Sequence, residues 1–173
     1  MTLAWQFQCS IALVLLAGCA SLTPPAPKAA ATLAPTAGNR AAGTVTFTSR
    51  GAGVRIVASM SGLAPGAHGL HIHEKGDCSA PDAMSAGGHF NPTDKPHGDP
   101  ATGEHHAGDM PMLEADASGN AKLDVTLGAI TLGGGATNVI GRSVIVHKDA
   151  DDYKTQPTGN SGARVACGVI VAA

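Results

Sequence analysis

Seven of the eight histidines in this 173-residue chain fall between His68 and His106, and the eighth, His147, closes a separate apolar run. The cluster opens with His71-Ile72-His73, where polar and apolar residues roughly alternate as on a β-strand. Residues two apart on a strand share a face, so both imidazoles can reach one ion. Next come His89 in Gly87-Gly88-His89-Phe90-Asn91-Pro92, His97 in Pro96-His97-Gly98, and the run His105-His106-Ala107-Gly108-Asp109. These segments are rich in Gly, Pro and Asp, the residues of turns, so a loop brings its ligands to the strand. Four imidazoles suit copper, whereas three imidazoles and a carboxylate suit a closed zinc site, and neutral imidazole is the commonest protein ligand for either ion. The inventory permits both.

Read in order, these residues resemble the bacterial Cu/Zn superoxide dismutases. The matching stretches are HGLHIHEKGDC (His68 to Cys78), GGHFNP (Gly87 to Pro92), PHG (Pro96 to Gly98), HAGDMPML (His106 to Leu113), VIVHKDADDY (Val144 to Tyr153) and GNSGARVACGVI (Gly159 to Ile170). With a first-strand-like ATLAPTAGNRAAGTVTF (Ala31 to Phe47), they cover nearly everything after residue 29.

The resemblance implies one copper per subunit on His71, His73, His89 and His147, and one zinc on His89, His97, His106 and Asp109. His89 is then a bridge, because cations on both sides of an imidazole stabilise the doubly deprotonated ring. The implied activity is dismutation of superoxide to oxygen and hydrogen peroxide by alternating reduction and reoxidation of copper, with His89 both ligand and proton carrier. Asp151, four residues after His147, takes the position that links a copper-side and a zinc-side histidine through their free N–H groups. Arg164 takes the place of an arginine beside copper that attracts the substrate anion, and Cys78 and Cys167 match the family's disulfide positions. The alternative is a noncatalytic copper and zinc buffer or metal-delivery lipoprotein on the same fold. All seven implied ligands and Arg164 are present, which favours the enzyme.

Two histidines stand outside this set. His68 is expected to make a structural hydrogen bond near the strand start. His105 would shift the zinc register by one residue, but the H-x-x-D spacing to Asp109 favours His106. The formal net charge is -2 and the substrate is an anion, so steering must come from a local positive field around Arg164 and the metals, aided by Lys148 or Lys154.

The amino terminus reads as targeting sequence. Ile11 to Ala17 is too short an apolar run to span a bilayer, and Leu16-Ala17-Gly18-Cys19 resembles a bacterial lipoprotein cleavage box, although no Lys or Arg precedes Ile11. Residues 1–18 are then a signal peptide, Cys19 is lipidated, and residues 19–28 are a Pro/Ala-rich tether. Ala20 resembles an outer-membrane sorting signal, which implies a lipid-anchored protein in the periplasm of a Gram-negative cell. Cys9 and Cys19 both lie in this segment, leaving Cys78 and Cys167 for the domain.

The elements that must position the ligands lie in residues 29–173, one domain's length. The chain has 23 glycines and 11 prolines, and short runs such as Thr44 to Thr48, Val54 to Ala58 and Ser143 to His147 are separated by turn residues. That density predicts an all-β antiparallel sandwich or flattened barrel, Greek-key by the resemblance, with two long functional loops, Lys75 to Asp109 and Lys148 to Arg164. No basic aromatic patch is present, which argues against a nucleic-acid partner, and the family's range of states permits a homodimer.

Overall fold

The computed structural model describes Ala26 and residues 28–173. The expected signal peptide, Cys9 and Cys19, and nearly all of the tether lie outside the described residues. The strands are β1 (Lys28–Pro35), β2 (Ala42–Arg50), β3 (Gly53–Ser61), β4 (Gly66–His68), β5 (Leu70–His73), β6 (Leu113–Ala115), β7 (Ala121–Leu127), β8 (Ser143–His147), β9 (Arg164–Val169) and β10 (Val171–Ala172). The described helical structure is a single 3-10 turn, Met84–Ala86, and no described helix is long and apolar enough to cross a membrane.

Every ladder between these strands is antiparallel, in the order β4-β6-β7-β3-β2-β1-β9-β8-β5, with β10 beside β1. Only Gly69 separates β4 from β5, yet they occupy opposite ends of that order. The sheet must therefore curl until its ends meet, which gives the expected antiparallel barrel. The first-strand-like stretch Ala31 to Phe47 holds the end of β1 and the start of β2, joined by a turn at Thr36–Asn39. Arg164 lies on β9 rather than in the preceding loop, and the first loop runs from residue 74 to 112.

Alternation sets the core. On β3, Val54, Ile56, Ala58 and Met60 are buried while Arg55, Ser59 and Ser61 are exposed. β5 and β8 are instead buried along their whole length, because both faces are covered. Leu70, Ile72, Val144 and Val146 pack into the main core with Phe47. On the opposite face, Ile145 packs with Ala83, Ala86 and Cys167 beneath the first loop, and His71 and His73 lie beside it. The Cys78–Cys167 disulfide fastens this loop to β9 across a sequence separation of 89 residues. Closing a loop of that length stabilises by on the order of 4 kcal/mol in the chain-entropy treatment.

Candidate metal centre

The site is built on the loop-covered face of β5 and β8. Register pairs His71 with Ile145 and His73 with Ser143, so period-2 alternation turns both β5 histidines away from the core. A register shift between Val146 and His147 bends β8 at its end and sets His147 opposite Arg164 of β9. The first loop then returns twice to β5. Phe90 N–H donates to Ile72 O at 2.8 Å and Ile72 N–H donates to Gly108 O at 2.8 Å. Single bridges pair His73 with His89 and His71 with Asp109. Gly108 permits this approach, since a Cβ there would sit 2.3 Å from Ile72 O.

Nitrogen by nitrogen, the second bond of each ring fixes which atom is free. His71 Nε2 donates to Asp151 Oδ2 at 2.6 Å, leaving Nδ1. His73 Nδ1 donates to Gly87 O at 3.0 Å and His147 Nδ1 to Gly162 O at 3.2 Å, leaving both Nε2 atoms, which lie 3.4 Å apart. One nitrogen from each of His71, His73, His89 and His147 lies within 4.8 Å of the others, and all four residues are buried.

On the far side of His89, its Nδ1 is 2.9 Å from Asp109 Oδ1, with His97 Nδ1 at 3.1 Å and His106 Nδ1 at 3.3 Å from the same oxygen. Asp109 Oδ2 accepts from the main-chain N–H groups of Gly98 and His106 at 3.1 and 2.9 Å, so the carboxylate is pinned. Donor atoms of His71, His89, His97 and Asp109 also lie within 4.8 Å of one another, with His71 in the place expected for His106. His106 Nδ1 faces both Asp109 Oδ1 and His89 Nδ1, while His71 already contributes to the group with His73 and His147. His105 turns its Nδ1 to His106 O at 2.6 Å, away from these donors. His68 sits with its ring nitrogens 2.8 Å from His147 O and 2.8 Å from Ala64 O, in a structural position.

Among the described residues, His71 Nδ1 and His89 Nε2 are buried with no hydrogen-bond partner, and buried His97 Nδ1 has only Asp109 Oδ1 beside it, 3.1 Å away. Leaving a buried polar atom unsatisfied costs about 1–3 kcal/mol. All three face the two donor groups, and a cation in each would satisfy them. Charge balance agrees. Burial holds His89 down at about 4 and His147 at about 3, and lowers His71 and His73, so these imidazoles are neutral at pH 7 with lone pairs available. For His97 burial works the other way from its partners, and contacts with Asp109 and Asp151 raise it to about 9. Burial disfavours charge on Asp109 and Asp151, yet hydrogen bonds from the surrounding imidazoles hold both below the ordinary carboxylate range. All-nitrogen and mixed nitrogen and oxygen donor sets fit copper and zinc respectively.

Asp151 joins the two halves: its Oδ1 lies 2.9 Å from His97 Nε2 while Oδ2 holds His71. Arg164 reaches from β9 to the first loop and donates to Ala83 O and Gly87 O, each at 2.6 Å, so the guanidinium is fixed by the same carbonyl that orients His73. Arg164 and His147 line an open cleft of about 670 Å³ together with Asn39, Asp82 and Thr158. Lys148 opens onto a neighbouring hollow instead. Sequence reasoning missed Gly87 as the shared acceptor, and Tyr153, Gln156 and Gly159 as neighbours of His97. Tyr153 and Gly159 stand inside quoted motifs, but Gln156 gave no signal.

Residues 41–170 match the family described as Copper/zinc superoxide dismutase (SODC). The Cu-Zn superoxide dismutase of Deinococcus radiodurans is 42% identical over 143 residues, 75% of this chain and 77% of its own. The Superoxide dismutase-like protein YojM of Bacillus subtilis is 47% identical over 126 residues, 69% of this chain and 63% of its own. An extracellular Cu-Zn superoxide dismutase of Caenorhabditis elegans is 42% identical over 134 residues, 74% of this chain and 60% of its own, so the chain spans less than two thirds of the last two relatives. Among solved structures, the crystal structure of the clock protein EA4 superposes with a TM-score of 0.76 at 38% identity, covering 86% of this chain and 96% of that one. With its barrel, its paired donor groups and a match through most of its length, the chain belongs to the copper/zinc superoxide dismutase family.

Proposed function

We propose that this protein dismutes superoxide, converting two superoxide anions and two protons into oxygen and hydrogen peroxide. Copper and zinc are the metals of its family. The proposal assigns copper to His71, His73, His89 and His147, and zinc to His89, His97, His106 and Asp109. The observation that carries it is His89: Nδ1 faces Asp109, while Nε2, buried and without a hydrogen-bond partner, faces the other histidines. When bound, copper supplies the one-electron couple that the reaction needs.

The chain's own residues do the rest. Asp151, Gly87 and Gly162 fix the tautomers of His71, His73 and His147, so each presents a lone pair. His89 Nε2 would take up one proton and pass it to the reduced substrate, which takes its second proton from solvent and leaves as hydrogen peroxide. Arg164 draws the anion down the cleft and stays cationic although burial lowers its pKa, since no arginine titrates near neutrality. A local field of this kind is required because the net charge of -2 repels the substrate overall.

We further infer a cell-envelope location, with Cys19 lipidated and the protein held at the periplasmic face of the outer membrane. The lipobox-like Leu16-Ala17-Gly18-Cys19 supports it. Loss of labelled-palmitate incorporation in Cys19→Ser tests it, and unchanged labelling would refute it.

Pulse radiolysis of the chain loaded with copper and zinc tests the activity. Rapid superoxide decay that collapses in His89→Ala is expected. Tight binding of both metals without turnover would overturn the proposal in favour of a metal-buffering protein.

A further inference from the structure

His97 is buried, although residues 92–96 immediately before it are all exposed. Apart from Asp109, 3.1 Å from its Nδ1, what holds it comes from residues 148–163. Asp151 Oδ1 lies 2.9 Å from its Nε2. The Tyr153 ring lies nearly parallel to the imidazole, 6.5 Å between centroids at 25°. Gly159, at φ +64, leaves the room for both partners, because a Cβ there would sit 1.7 Å from Asp151 Oδ1 and 2.5 Å from His97 Nε2.

Gln156 acts on the main chain instead. Its Oε1 accepts the His97 N–H at 2.8 Å, and its Nε2 donates to His97 O at 2.8 Å. A single amide side chain thus satisfies both main-chain groups of one residue, as a hydrogen-bonded partner on a neighbouring antiparallel strand would. Its side chain is exposed, so core packing does not account for a glutamine here. Rotation of the His97 main chain would swing the ring, and the two amide bonds oppose that rotation.

We propose that Gln156 is a positioning residue for zinc, fixing the His97 main chain so that Nδ1 stays directed at Asp109 and His89. The proposal rests on the assignment of His97 to zinc. It carries a reciprocal consequence: if order in residues 148–163 favours zinc binding, zinc binding favours that order by the same factor. This segment supplies Thr158, Gly162 and Ala163 to the cleft beside Arg164. Zinc occupancy is therefore read out in the wall of the substrate entrance.

The test uses Gln156→Met, of similar length without the amide, and Gln156→Glu, which keeps an acceptor for the His97 N–H but sets an oxygen against His97 O. Zinc and copper dissociation constants come from chelator competition on the full metal-free chain, with hydrogen exchange measured with and without zinc. Gln156→Met is expected to weaken zinc about 10- to 100-fold, the range for residues that orient a ligand, with copper changed far less. At saturating zinc, residues 148–163 should gain less protection in the variant than in wild type, while residues 98–109 gain as much. Unchanged zinc affinity, equal weakening of both metals, or wild-type protection of residues 148–163 would overturn the proposal. Should circular dichroism show Gln156→Met unfolded, Gln156→Glu is judged by the same criteria. A His97→Ala control separates the two readings: if it leaves zinc affinity intact, the zinc assignment fails, whatever Gln156 does.

Discussion

Replacing Asp151 by Asn removes one acceptor from a junction that uses both. Asp151 Oδ2 takes His71 Nε2–H at 2.6 Å, while Oδ1 takes His97 Nε2–H at 2.9 Å and Tyr153 N–H at 2.8 Å. An asparagine offers one oxygen and one NH₂ group, so one imidazole meets a donor where it had an acceptor. That ring must turn, or move its proton to the nitrogen that faces the metal. His71 is held on β5, paired on one edge to β8 and on the other to the returning loop, and its ring cannot turn freely. His97 lies in a loop rather than in a sheet, so its ring has more room to move than that of His71. Zinc affinity should therefore fall about 10- to 100-fold, and copper affinity less. In free energy the zinc loss is about 1.4 to 2.8 kcal/mol. Competition titrations with chelators of graded affinity measure both constants on the same preparation. Loss confined to copper, or no change in either metal, would refute the reasoning.

Three other outcomes are expected. Arg164→Ala should lower kcat/KM at low salt and flatten its dependence on ionic strength, because the lost charge acts at long range; equal rates across a salt series would contradict this. The metal-free protein should be most stable near pH 6.5. Below that, the unfolded chain takes up protons that buried His89, held at about 4, does not, so stability falls with pH by up to about 3 kcal/mol from that residue alone; above it, His97, raised to about 9, loses its contribution as pH rises. Thermal unfolding followed by circular dichroism across pH checks it, and a flat profile between pH 4 and 9 would count against it. Phe47→Ala, at a fully buried position, should cost about 3–5 kcal/mol in urea unfolding, and a cost below 1 kcal/mol would mean that the core collapses around the gap.

His71 and His73 were legible in the sequence because a strand's period of two is written in three residues, and Ser143 to His147 was legible as an apolar run of strand length. The boundaries of β1 were not, since Ala29 to Leu33 mixes small residues with little β signal and is fixed by pairing with β2 along its length and with β10 at Ala29 and Ala30. The shift between Val146 and His147 also leaves no trace in composition, yet it sets His147 opposite Arg164. Which nitrogen of each ring is free depends on main-chain carbonyls such as Gly87 O and Gly162 O, whose directions no side-chain pattern encodes. Gln156 was silent for the same reason: a polar residue in a polar loop, it acquires a role only through a neighbour 59 positions away.

The return of the first loop to β5 has a consequence for behaviour in a crowded compartment. β5 ends the strand order, and the outer main-chain groups of Ile72 are occupied by Phe90 and Gly108 rather than by another strand, with Gly88 taking the N–H of Glu74 just past its end. An open strand edge is a template on which a second chain can add. The loop is thus a removable cover, clipped down at its start by the disulfide and at its middle by the residues assigned to the metals. Loss of ions and reduction of the disulfide together would lift that cover from a strand carrying Leu70 and Ile72. The same ligands that prepare the site for chemistry thereby guard the barrel against self-association.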